Sequence, residues 1–132
     1  MLAADTNLLV RHLTHDDATQ AAAVTRLLDR AYRDEETVLV SHLVLCEALW
    51  ALRAIYGFDK PKLVLAVQFL LGDVRFTLQA RPLVEAALQQ FATGPAQFTD
   101  YLIGLVDREL GASTTYTFDK AAAKSPDFTL LK

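Results

Sequence analysis

Short apolar, β-branched runs alternate along the whole chain with longer stretches of helical spacing. That alternation restricts the folds open to it. Residues 37–41 (TVLVS), 74–78 (VRFTL) and 113–118 (STTYTF) have strand length and strand composition, while residues 1–4 and the final FTLL are weaker strand candidates. Between them lie helical stretches: TNLLVRHLT with Thr6 as an available cap, AAAVTRLLDRAYR, and residues 42–56 before Gly57. KPKLVLAVQFLLGD has Pro61 near its first turn and ends at Gly72. RPLVEAALQQFATG has Pro82 near its start and Gly94 at its end, and AQFTDYLIGLVDRELG stops at Gly111. DKAAAK predicts one more short helix. The pattern predicts βαβ units, a mostly parallel sheet and the α/β class. In such sheets ligands bind beyond the carboxyl ends of the strands.

The chain has 132 residues, the length of one domain with one core, residues 1–132. Apolar residues make up 52% of it and the mean hydropathy is +0.21, which implies a thick core or an apolar surface covered by a partner. The net charge is −3, which gives no support for a broad nucleic-acid-binding surface but leaves room for a small site that carries metal ions. Cys46 is the only cysteine, so no intramolecular disulfide forms and a reducing cytoplasm fits; it reads as a small core residue. The start MLAAD is too short for the apolar region of a signal peptide, and no apolar run approaches membrane-span length.

Four acids stand apart from the rest. Glu47 sits in LVLCEALWAL, where its helical neighbours Leu43, Val44, Trp50 and Ala51 offer no charge partner. It is expected to be a buried acid that something outside its helix compensates, or one used for chemistry. Asp5 follows the first strand and Asp119 follows TTYTF, which places both at the carboxyl edge. Asp100 lies in or near the first turn of its helix, among Ala96, Gln97, Ile103 and Gly104. The remaining acids fall in charge runs at element ends (16–17, 34–36 and 107–109) and read as solvated surface. Each of the four also has an ordinary reading. Asp5 could cap a helix, Asp100 could answer a helix dipole, Asp119 could close a turn, and Glu47 could pair with a distant Arg or Lys. Converging carboxylates need protons, basic side chains or metal ions. Mg²⁺ or Mn²⁺ prefers oxygen ligands, and a metal-held water can attack a phosphodiester.

DTN at 5–7, the apolar-flanked Glu47, FTD ending at Asp100 and TFD at 117–119 resemble the PIN-domain ribonucleases, most closely the VapC-type toxins of bacterial and archaeal toxin–antitoxin pairs. The resemblance runs from Ala4 to the final FTLL. It implies a PIN-like three-layer sandwich, a short parallel sheet between helices. It implies a metal site of Asp5, Glu47, Asp100 and Asp119, in which Glu47 acts partly through a metal-bound water. Thr6 and Asn7 would orient Asp5, and Thr117 would line the site near Asp119. It further implies an Mg²⁺- or Mn²⁺-dependent endoribonuclease with an RNA substrate, a cognate antitoxin that wraps an apolar groove, and a homodimer. Gln97 stands where many relatives carry a further Asp, and Tyr101 where many carry Ala; both fall where substrate details would be set.

Other features carry blander expectations. His12 and His15, followed by Asp16 and Asp17, would need a closed ligand set to hold zinc and read as a solvated helix end. Trp50, Phe69, Phe91 and Phe98 are expected in the core rather than as base-stacking platforms. Arg11, Arg53, Lys120 and Lys124 are expected in solvent, some of them near RNA phosphates. The competing function is a non-catalytic protein- or RNA-binding module whose acids hold metal only for stability. A nucleotide-binding domain is disfavoured, because no glycine-rich phosphate loop follows any strand.

Overall fold

The computed structural model describes all residues, 1–132, and the chain divides into two compact units, Met1–Arg81 and Pro82–Lys132. The first unit holds β1 (Leu2–Ala3), α1 (Thr6–Thr14), α2 (Ala18–Arg33), β2 (Val38–Val40), α3 (His42–Ala54), α4 (Lys60–Leu71) and β3 (Phe76–Leu78). Its strands form one sheet in the order β1-β2-β3, all parallel, with Ala3 opposite Leu39 and Leu39 opposite Thr77. Parallel neighbours need long crossovers, and each crossover here is a pair of helices. The central strand is the most deeply covered: Val38 and Val40 are fully buried, as befits a strand flanked on both sides. Leu9, Leu28, Leu45, Leu52, Val67 and Leu70 pack from the four helices into the same core.

Helix starts in this unit follow capping chemistry. Asp5, Asp17, Ser41 and Asp59 each accept a backbone N–H two or three residues into α1, α2, α3 and α4. Asp5, rather than the expected Thr6, is the cap of α1. α3 ends just before Gly57, whose φ of 69° lies in the left-handed region that glycine adopts without a Cβ penalty.

The second unit holds α5 (Arg81–Thr93), α6 (Phe98–Glu109), β4 (Thr115–Thr117), a single 3₁₀ turn (Ala122–Lys124) and β5 (Phe128–Leu130). β4 and β5 pair in parallel as a separate two-stranded sheet, with Tyr116 opposite Thr129. DKAAAK, expected as a helix, yields only that 3₁₀ turn, because Pro126 follows within two residues and the chain must turn into β5. Within this unit Gly104 of α6 lies against the Phe128 ring, and Phe91 and Phe98 meet edge to face at 6.2 Å. All strand pairs in both units are parallel, in keeping with the α/β class that the sequence pattern predicts.

Candidate active site

In the first unit Asp5 lies two residues past β1. One of its oxygens, Oδ1, accepts the Leu8 backbone N–H at 2.9 Å and so caps α1. The cap fixes the side chain, and Oδ2 carries no protein hydrogen bond. Glu47 lies in the second turn of α3, and its Oε2 accepts the Thr6 hydroxyl at 3.0 Å. Thr6 is the residue after Asp5, so one hydroxyl ties the start of α1 to the acid of α3. The resemblance assigns Thr6 to Asp5; the hydrogen bond goes to Glu47 instead. Asn7 is exposed and adjoins the same turn.

Glu47 corrects an expectation. It is exposed, and so are Leu43 and Trp50, the side chains one turn before and after it. The apolar residues flanking it in sequence therefore do not enclose it. The buried face of α3 is Leu45, Ala48, Leu49 and Leu52, on the other side of the helix. Sequence spacing identified Glu47 as unpaired by charge, but took its apolar neighbours for a core.

In the second unit Asp100 occupies the first turn of α6, and its Oδ2 accepts the Gln97 backbone N–H at 3.0 Å. Asp119 lies two residues past β4. Its Oδ1 accepts the Ala121 and Ala122 backbone N–H groups at 2.8 and 3.3 Å, and its own N–H donates to Thr117 Oγ1 at 3.0 Å. Thr117 thus steadies the backbone at Asp119. All four acids share one arrangement. One oxygen is anchored by a backbone N–H or, for Glu47, by the Thr6 hydroxyl, and the other has no protein hydrogen bond. The ordinary readings of Asp5 as a helix cap and Asp119 as a turn residue hold, and the bonds to nearby backbone N–H groups are also what orient Asp5, Asp100 and Asp119.

A divalent hard cation takes oxygen donors, often carboxylates held by second interactions of this kind. The chemistry of the donor set therefore fits such an ion. No group of three or more His, Cys, Asp or Glu side chains stands ready-assembled to hold a metal. Within the first unit, the Thr6 hydroxyl links the turn that bears Asp5 to Glu47.

Several neighbouring expectations change. Tyr101, which the resemblance places where substrate details would be set, is buried, and its hydroxyl accepts the Ala96 N–H at 3.2 Å. Arg11 is not free in solvent. It donates to Gln20, Asp16 and the Tyr56 hydroxyl, and Tyr56 donates to Asp16 at 2.7 Å. Asp107, expected in solvent, accepts the Thr115 hydroxyl at 2.7 Å. His12 is half-buried against Phe76, 3.9 Å from Asp73, rather than at a solvated helix end. Trp50 and Phe69 are exposed, at 62% and 71%, while Phe91 and Phe98 are in the core as expected. Two features carried no sequence signal. Asp127 is buried and pairs with Arg108 at 3.2 Å, and the His42 ring bonds the Gln79 carbonyl at 2.7 Å, joining the ends of β2 and β3.

Parallel strands, helical crossovers and anchored acids just past strand ends define a small α/β protein with carboxylates at its strand ends. The chain belongs to the PIN-domain family, which matches residues 3–126 and so runs through both units. PIN domains are typically metal-dependent nucleases that use divalent ions. No curated protein and no solved structure matches the chain. No helix is long and apolar enough to cross a membrane.

Proposed function

We propose that the chain is an Mg²⁺- or Mn²⁺-dependent endoribonuclease and the toxin of a VapC-type toxin–antitoxin pair. The observation that carries this reading is the set Asp5, Glu47, Asp100 and Asp119. All four are present in a PIN domain, each with one oxygen anchored and the other open. A bound divalent cation would supply an activated water and neutralise charge on the phosphodiester. The chain's part is to hold the carboxylates. The α1 cap orients Asp5, the Thr6 hydroxyl orients Glu47, the turn at Gln97 orients Asp100, and the Thr117–Ala122 turn orients Asp119.

The toxin assignment rests on the sequence resemblance, and exposed apolar surface is compatible with the partners it implies. Leu65 and Phe69 of α4, one turn apart, line an open hollow with Gln68 and Gly72. An antitoxin segment or a second copy of the chain would cover such a surface. Co-purification with the product of a neighbouring gene tests the antitoxin, and sedimentation tests the homodimer.

The deciding experiment incubates antitoxin-free protein with total RNA plus Mg²⁺ or Mn²⁺, against EDTA and against Asp5→Asn. Discrete cuts that require both the metal and Asp5 are expected. Cutting that persists in EDTA or in Asp5→Asn would refute the mechanism. Metal binding without cutting would favour the non-catalytic interaction module.

A further inference from the structure

The outward face of α3 places a flat aromatic beside one of the four acids. Leu43, Glu47, Trp50 and Ala54 recur at helical spacing and all are exposed, opposite the buried Leu45, Ala48, Leu49 and Leu52. Trp50 follows Glu47 by three residues, so the two side chains are surface neighbours with Cβ atoms about 5–6 Å apart. The indole makes no hydrogen bond and no contact with another ring, and the residue is 62% exposed. An isolated exposed aromatic is unremarkable by itself. This one adjoins a carboxylate already tied by the Thr6 hydroxyl to the turn that bears Asp5.

We propose that Trp50 is a positioning residue for RNA: its indole stacks on a base of the single strand whose phosphodiester is held beside Glu47 and Asp5. The inference rests on the nuclease reading above. Every base has a π-face, and aromatic side chains beside a backbone-binding site are a recurrent way to hold single strands without sequence preference. Arg53, exposed one turn further along α3, provides a cation for a flanking phosphate. The charge next to the indole favours this occupant over an apolar protein surface. A protein seated on Trp50 and Leu43 would strip water from the Glu47 carboxylate between them, at a cost unless it brought its own cation. An RNA strand arriving with a divalent ion meets that carboxylate with charge compensation. A base on Trp50 would fix the strand's register relative to the cleaved bond, so the residue acts on binding and on where the cut falls.

Trp50 is the chain's only tryptophan, so its fluorescence reports this position alone. The wild-type protein is titrated in excess Mg²⁺, and read before cutting accumulates, with a short mixed-sequence single-stranded RNA and, separately, with inorganic polyphosphate, which is anionic but has no bases. Quenching by RNA and not by polyphosphate is expected. In metal-supported cleavage, Trp50→Leu is expected to raise KM about ten- to a hundredfold, the loss of one base stack, with kcat little changed. Trp50→Phe keeps a stacking ring and is expected to restore most of the affinity. If the wild type cuts RNA but RNA does not quench Trp50 and Trp50→Leu keeps its KM, the inference is overturned and the nuclease reading stands. If RNA quenches Trp50 but no metal supports cutting, stacking is upheld and the nuclease reading fails. A blue shift that grows with protein concentration and prevents RNA quenching would place Trp50 in a protein interface and overturn the inference.

Discussion

At Asp5 the structural and the chemical roles of one carboxylate can be separated by a single atom. Its Oδ1 caps α1 through the Leu8 N–H, and Asn caps as well as Asp. Asp5→Asn is therefore expected to melt within a few degrees of the wild type while metal-dependent cleavage falls at least about a hundredfold, more than the usual loss of an outer partner. Asp5→Ala removes the cap too, and is expected to lose about 1 kcal/mol of stability in denaturant melts. Equal activity in Asp5→Asn and wild type would reduce Asp5 to a cap. Thr6 gives a second test, because its hydroxyl bonds Glu47 and not Asp5. Thr6→Val keeps the shape but leaves Glu47 unanchored, and an activity loss of about 10–100-fold is expected, with recovery in Thr6→Ser. Activity assays of the pair under saturating metal decide it. Unchanged Thr6→Val would mean that the observed hydrogen bond does not position the acid.

The helices were the most legible elements, because their ends carry local chemistry. Pro61, and Gly57, Gly72 and Gly111, mark starts and stops that the structure repeats within a few residues. Short strands of β-branched residues were legible for the same reason, as were the acids past β1 and β4. The orientation of α3 was not. Its sequence is apolar nearly all round, so spacing alone does not tell the buried face from the face in solvent, and it places Glu47 and Trp50 in the core. Arg11, His12 and Asp127 escaped because their partners (Tyr56, Asp73 and Arg108) are set by tertiary packing, which local sequence does not encode. Close packing between elements can be probed at Gly104 of α6. A Cβ there would stand 2.7 Å from Phe128 Cε2 and 3.0 Å from Asp127 Cβ. Gly104→Ala must push β5 away from α6, and about 1–3 kcal/mol of destabilisation is expected, against the small gain that alanine normally brings to a helix interior. Chemical denaturation measures it; a stabilised variant would show that the contact relaxes freely.

At the scale of the whole molecule, net charge and apolar content said little about chemistry, and the readable information lay in where a few charges sit. The same holds for stability against pH. Arg75 grips Asp73 through Nε at 3.0 Å and Nη2 at 2.8 Å, and these bonds hold the Asp73 carboxyl below its usual value of 3.8. His12 stands beside this pair, with its Nε2 3.9 Å from Asp73 and its buried Nδ1 without a hydrogen-bond partner. Burial pushes the imidazole below its ordinary 6.5, the Arg75 charge adds to the push, and the opposing pull of Asp73 does not overcome them. The signs then separate the two groups. Below about pH 6.5 the unfolded chain takes up a proton at His12 before the folded chain does, so stability falls as pH falls through that window. Asp73 stabilises the fold above the usual carboxylate range, and that contribution is lost only on further acidification, below 3.8. Melting temperature is accordingly expected to drop between about pH 7 and pH 5, and His12→Gln, which cannot titrate, is expected to flatten that slope while leaving the acid limb intact. Asp73→Asn should do the reverse, because it removes the acid-limb contribution and also the one attraction that favours a charged His12, which leaves the imidazole still less willing to take a proton. A wild-type slope that survives in His12→Gln would show that the half-buried ring on Phe76 is not the group that titrates.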